Sequence, residues 1–225
     1  MTELIFISEK NRARYLRIIA PVGKFFAKLG VHPNILSITG FVLSVAAGII
    51  YSMGSFFWAA WVVVLAGTCD ALDGQIARQT NNTSSFGAFF DSTLDRYSDM
   101  FLYIGLAYHF SGGPAFMGIH PSASNHADPS PWTVMVIVMA VAGSFMVSYT
   151  RARAEGLGLE CKKGLMQRPE RIILLIIGSL LGVIPVMGAL LLKLALLLLA
   201  VSTNLTAVYR IMVVRRHFAR GSVAK

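Results

Sequence analysis

Roughly six stretches of this chain are apolar over about the 20 residues that a helix needs to cross a bilayer, and that feature limits the fold more than any other. They run Asn34–Met53, Phe56–Arg78, Ser85–Phe110, Pro131–Tyr149, Ile172–Val186 and Met187–Val214. The chain is 55% hydrophobic and 14% charged, against about 25% charged for an ordinary soluble domain. A soluble protein of 225 residues cannot hide that many apolar side chains. The expected class is therefore an all-α integral membrane protein. The split near Pro185 fits a tight helical hairpin or one kinked helix, and the parity of the topology depends on which it is.

The segment 1–33 reads as a basic juxtamembrane helix. Lys10, Arg12, Arg14, Arg17, Lys24 and Lys28 interrupt its apolar positions, so a cleavable signal peptide is not expected. Tyr15, Leu16, Ile18, Ile19, Val22, Phe25, Phe26 and Leu29 lie between those charges, the pattern of an amphipathic helix in the headgroup region. A helical domain over 34–217 and a cytoplasmic tail over 218–225 complete the expected organisation.

Charge placement sets the orientation. Lys and Arg collect in the N-terminal arm, around Arg151–Arg171 and in the tail from Arg210, whereas Gly54–Ser55, Ser111–Ser130 and the turn near Pro185 hold none. The positive-inside rule puts both termini and the Arg151–Arg171 loop in the cytoplasm, which needs an even number of spans and favours six. Lys193 is the exception and is expected to snorkel to the surface. The net charge of +9 is explained by these flanks. It points to an anionic lipid surface and an anionic substrate rather than to nucleic acid. Cys69 and Cys161 fall on the cytoplasmic side, so no disulfide is expected. His109, His120 and His126 read as surface residues flanking or within the outer loop.

The second and third spans contain residues that lipid disfavours. Five of the 11 acidic residues lie between Asp70 and Asp99, and carboxylates within membrane helices mark function by default. Asp70 and Asp73 are three apart, Asp91 and Asp95 four apart, and each spacing puts a pair on one helical face. With a turn near Gln79–Ser84, Asp73 lies about 9 Å and Asp91 about 10 Å from the cytoplasmic end, at 1.5 Å per residue. Antiparallel helices then bring both pairs to similar depth. Four converging carboxylates call for cations, and oxygen-only ligands suit Mg²⁺ or Mn²⁺. Gly74 and Gly87 beside them admit either a packed helix or a ligand. Asp99 continues the series, and an Arg96–Asp99 pairing is expected to account for it.

The stretch Asp70-x-x-Asp73-Gly74-x-x-Ala77-Arg78, eight residues, Gly87-x-x-x-Asp91-x-x-x-Asp95 resembles the signature of the CDP-alcohol phosphotransferase (CDP-alcohol phosphatidyltransferase) family at every fixed position. The resemblance implies transfer from a CDP-linked lipid to an acceptor hydroxyl with release of CMP. It implies two metal ions held by Asp70, Asp73 and Asp91, with Asp95 as general base and further metal ligand. It also places Gly74, Arg78 and Ser84, with Asp70, at the CDP moiety. Asn34 and Ser37 in Pro33-Asn-Ile-Leu-Ser37 resemble the family's first-helix nucleotide motif, and a homodimer is implied as well.

A second cluster speaks to the acceptor. Ser148, Arg151 and Arg153 end the fourth span, Arg168 and Arg171 open the fifth, and Arg210 lies late in the sixth. Arginine grips phosphate by parallel hydrogen bonds, so these residues are expected to hold an acceptor phosphate. Together with Asp91-Ser-Thr-Leu-Asp-Arg96, they resemble the branch of the family that joins CDP-diacylglycerol to inositol phosphate, the phosphatidylinositol phosphate synthases. Arg151 stands where that branch often has lysine, which keeps the charge and changes the geometry. Glycerol 3-phosphate, giving phosphatidylglycerol phosphate, is the alternative acceptor. A cation transporter is the alternative of a different class, but such sites sit near the midplane of inverted repeats, and no repeat is visible here.

Overall fold

The structure, a computed structural model, describes residues 9–80, 84–113, 129–159, 161, 164 and 166–221. Those residues form seven helices: α1 (Glu9–Lys28), α2 (Pro33–Ser52), α3 (Phe56–Gln79), α4 (Ser85–Phe110), α5 (Pro131–Glu155), α6 (Arg168–Leu181) and α7 (Gly188–Gly221). No strand occurs among them. Four helices, α2, α3, α5 and α7, are long and apolar enough to cross a membrane by length and composition. α4 has the length, at 26 residues, but carries Asp91, Asp95, Arg96 and Asp99. α6 has only 14 residues, about 21 Å at 1.5 Å per residue.

Local chemistry explains the helix ends nearest the site. Pro33 opens α2, where its missing N–H costs nothing, and His32 Nδ1 accepts the Asn34 amide at 3.2 Å. Ser84 caps α4 by accepting the Gly87 amide at 2.9 Å. The break near Pro185 is a turn between separate helices. α6 ends at Leu181, Val186 adopts a φ of 68°, and the Gly188 amide returns to Ile184 O at 2.8 Å before α7 begins. Residues 114–128, with His120 and His126, lie outside the described residues, and the Ser130 amide donates to Phe110 O at 2.8 Å.

The apolar core occupies one end of the bundle. Tyr51 ends α2, Phe56 begins α3, Phe110 ends α4, and these pack with Ile137 of α5 and Leu192 and Leu196 of α7. His109 belongs to this core and is not a surface residue. It is 4% exposed and lies edge-on to Phe56 and Phe110, because packing of the α2–α3 turn covers the end of α4. Lys193 lies 5.8 Å from the centre of the Phe110 ring, a cation–π contact. A smaller cluster of Ile19, Leu36, Leu72 and Ile76 seats α1. Tyr15 Oη meets Thr68 Oγ1 at 2.8 Å and Gly23 faces Gln75, so α1 follows α3 turn by turn. Ile18, Val22, Phe25 and Leu29 remain exposed.

In lipid, helices associate through close packing rather than through expulsion of water. The closest approach joins α2 to α4. A Cβ on Gly48 would stand 2.5 Å from Phe101 O, and one on Gly105 would overlap the Gly48 carbonyl. Neither contact can be relieved by turning a side chain. Gly105→Ala is therefore expected to destabilise the protein by about 3 kcal/mol, the upper end of the range for overpacking. Thermal unfolding in detergent would check this, and a midpoint equal to the wild type would show that the two helices can part freely.

Candidate active site

Away from the core, α3 and α4 bring three of the four paired carboxylates together. Oxygen atoms of Asp70, Asp91 and Asp95 all lie within 4.8 Å of one another, and each residue is partly buried. Asp73 is not one of the three. It is 6% exposed, and its Oδ2 accepts from Ser37 Oγ at 2.5 Å. The i, i+3 spacing does put Asp70 and Asp73 on one side of α3, but Asp73 turns towards α2 while Asp70 turns towards α4. Ser37, expected at the nucleotide, is the residue that holds Asp73.

Arg168 and Arg171, both expected at the acceptor phosphate, reach this region from the start of α6 and pair with its carboxylates. Arg168 Nη1 lies 2.8 Å from Asp70 Oδ2 and 2.8 Å from Asp95 Oδ1, so one nitrogen bridges α3 and α4. Its Nε is 3.6 Å from Asp99 Oδ1. Arg171 is 4% exposed and donates to Asp99 Oδ2 at 3.0 Å and to Ser144 O at 3.2 Å. Asp99 thus pairs with α6, and the expected Arg96–Asp99 pairing is absent. Arg96 instead donates to Ser92 O, one turn back on its own helix.

The remaining expected residues are distributed around this end. Arg151 pairs with Glu155 at 2.9 Å, and Arg153 is exposed. Arg210 is 2% exposed and donates to Val147 O across the α5–α7 interface. Ser148 is partly buried on α5. A Cβ on Gly74 would meet only the flexible end of Arg78, at 3.4 Å, so no neighbouring helix requires that glycine. A Cβ on Gly87 would stand 3.1 Å from Ser84 Oγ and 3.7 Å from Asn34 Oδ1, so the α4 start, Ser84 and Asn34 lie in one place.

This arrangement can hold a hard cation. The donors are carboxylate oxygens only, the set that suits Mg²⁺ or Mn²⁺. Asp70, Asp91, Asp95 and Asp99 against Arg168 and Arg171 leave a formal surplus of negative charge. A pocket lined by Ser37, Gly40, Asp70, Asp91, Asp95 and Arg168 opens onto these groups.

A family model described as CDP-alcohol phosphatidyltransferase matches residues 30–214, which takes in all of α2–α6 and most of α7. The chain belongs to the CDP-alcohol phosphatidyltransferase family. It is an integral membrane transferase, as that family and its apolar helices require. The phosphatidylinositol phosphate synthase of Streptomyces avermitilis is 32% identical over 97% of this chain and 86% of that protein. The archaetidylinositol phosphate synthase of Methanothermobacter thermautotrophicus is 36% identical over 74% of this chain and 73% of its own. Among solved structures, Mycobacterium tuberculosis phosphatidylinositol phosphate synthase with CDP-DAG bound aligns with a TM-score of 0.72 at 31% identity, over 87% of this chain and 92% of that one. The same enzyme in complex with manganese and citrate aligns with a TM-score of 0.72 over 85% of this chain.

Proposed function

We propose that this transferase moves the phosphatidyl group of CDP-diacylglycerol to a hydroxyl of inositol phosphate and releases CMP. The observation that carries the reading is the convergence of Asp70 of α3 with Asp91 and Asp95 of α4 within 4.8 Å. The names of the Streptomyces and Methanothermobacter relatives share inositol phosphate while their lipids differ, which supports the acceptor more than the tails.

Each residue then has a task. Asn34, Gly74, Arg78 and Ser84 line the cytidine side, where Gly74 leaves room for the nucleotide backbone to approach. Asp70, Asp91 and Asp95 hold divalent metal, Mg²⁺ or Mn²⁺ and two ions in our reading. Asp73 completes the set only on leaving Ser37. Bound metal supplies neutralisation of the pyrophosphate and of the charge that develops on CMP. Asp95 takes the proton of the acceptor hydroxyl as its oxygen bonds to the lipid-bearing phosphorus, and the bond from that phosphorus to the CMP oxygen breaks. Arg153 and Arg210, with Ser148 and Arg151, grip the acceptor phosphate.

The same reading assigns six spans. α6 with the turn after it serves as the fifth, and α1 is an interfacial helix whose exposed apolar side meets lipid. Both termini and the site face the cytoplasm, and a homodimer is the expected assembly.

The test is CMP release by purified protein from CDP-diacylglycerol and Mg²⁺ with inositol phosphate, glycerol 3-phosphate or free inositol. Preference for inositol phosphate supports the reading. Preference for glycerol 3-phosphate would keep the arginine pocket and change the product, whereas preference for free inositol would remove the pocket. Arg153→Ala, at an exposed position, is expected to raise the acceptor KM about tenfold, the loss of one charge-assisted hydrogen bond, with little change in the KM for CDP-lipid. Arg210→Ala is expected to act in the same direction. Equal losses on both substrates would count against a separate phosphate site.

A further inference from the structure

The geometry points to Arg168 as a built-in occupant of the metal site, which exchanges with the cation and unlocks the catalytic carboxylate as it leaves. The inference rests on the divalent-cation reading of the carboxylates given above. Its ground is the placement of one side chain between two seats. In the first seat, Arg168 Nη1 bridges Asp70 Oδ2 and Asp95 Oδ1, both at 2.8 Å, so a guanidinium nitrogen stands among the oxygens that would ligate a cation. Two like charges cannot share that space, because at these separations their repulsion is large in a partly dry site.

The second seat is prepared and unused. Arg168 Nε and Asp99 Oδ1 are both buried, and neither has a hydrogen-bond partner among the described residues. They face one another at 3.6 Å, too far for a hydrogen bond. Asp99 is fixed from its other oxygen by Arg171, so Oδ1 stays aimed at Arg168. A small withdrawal of Arg168 from Asp70 and Asp95 would satisfy both orphaned atoms, whose present state is costly. The cation therefore displaces Arg168 towards a partner that is already waiting.

The exchange has a consequence for chemistry. While Arg168 is ion-paired with Asp95 Oδ1 at 2.8 Å, that oxygen is poorly placed to take a hydroxyl proton. Cation entry releases it. Asp99 and Arg171 act through Arg168 as positioning residues, and neither touches substrate in this scheme.

Mn²⁺ binding to the full-length protein in detergent, without substrates and followed by electron paramagnetic resonance of free Mn²⁺, tests this directly. A bound state that must first expel a competitor has its affinity reduced by the fraction of competent molecules. Arg168→Gln should therefore bind Mn²⁺ at least about tenfold more tightly than the wild type, with Arg168→Lys in between. Unchanged or weaker binding by Arg168→Gln would overturn the exchange. Charge removal alone would also tighten binding, so a second measurement watches the side chain. In ¹⁵N-arginine-labelled protein, the Arg168 Nε–H signal, assigned by its loss in Arg168→Lys, should shift as Mg²⁺ saturates and Nε gains Asp99. A signal that stays in place at saturation would overturn displacement while leaving the metal site intact. Wild-type protein with no saturable Mn²⁺ site would overturn the cation reading itself, and this inference with it.

Discussion

Asp95→Asn lowers phosphatidyl transfer by roughly three to four orders of magnitude, near the top of the range for loss of a positioned general base. Asparagine keeps the shape and one oxygen of the carboxylate but cannot take the acceptor's proton. CDP-lipid and metal binding should survive largely intact, since Asp70 and Asp91 remain beside it. The measurement is single-turnover CMP release at saturating Mg²⁺, with Mn²⁺ affinity read on the same preparation. An undiminished rate would remove Asp95 from the role of base. Loss of Mn²⁺ binding together with the rate would make it chiefly a ligand.

Arg171→Met has the second large effect, on stability. It strands Asp99, 6% exposed, with the more distant Arg168 as its remaining cationic neighbour among the described residues. Removing one partner of a buried ion pair costs about 3–5 kcal/mol, because the other charge stays buried and uncompensated. The double change Arg171→Met with Asp99→Leu should recover most of that loss, since replacing both partners by apolar groups is often neutral. Thermal unfolding of both variants in detergent decides the matter. A single variant as stable as the wild type would mean that Asp99 finds another partner, and a double variant no better than the single one would mean that the pair does more than cancel charge.

The aspartates were legible in the sequence because lipid makes them conspicuous. A carboxylate at positions such as 70 or 91, inside an apolar run, has few structural explanations. Helical spacing then gave the facing pairs but not which side chain would turn away. Asp73 left the cluster for Ser37, 36 residues earlier on a helix whose angle no local pattern reports. Asp99 shows the same limit. Its neighbour Arg96 satisfied a local rule, while its real partner, Arg171, lies 72 residues away. His109 looks exposed in sequence because a residue at the end of a helix does so until a neighbouring turn covers it. The Gly48–Gly105 contact could have been anticipated in part. Gly40, Ser44 and Gly48 recur at four-residue intervals on α2, the small-residue stripe of a close helix pair, but nothing nearby identified Gly105 as the other side.

That contact has a mechanical meaning for the site. Gly48 and Gly105 pin α2 to α4 backbone against backbone, and Asp95 lies ten residues, about 15 Å, further along α4. A pin at that distance is a pivot with a long arm. A tilt of about four degrees there carries Asp95 about 1 Å, since the arm follows from the helical rise. Spacing of the carboxylates is thus set by leverage from deep in the bundle, and a methyl group added at the pivot is felt there as well as in the packing.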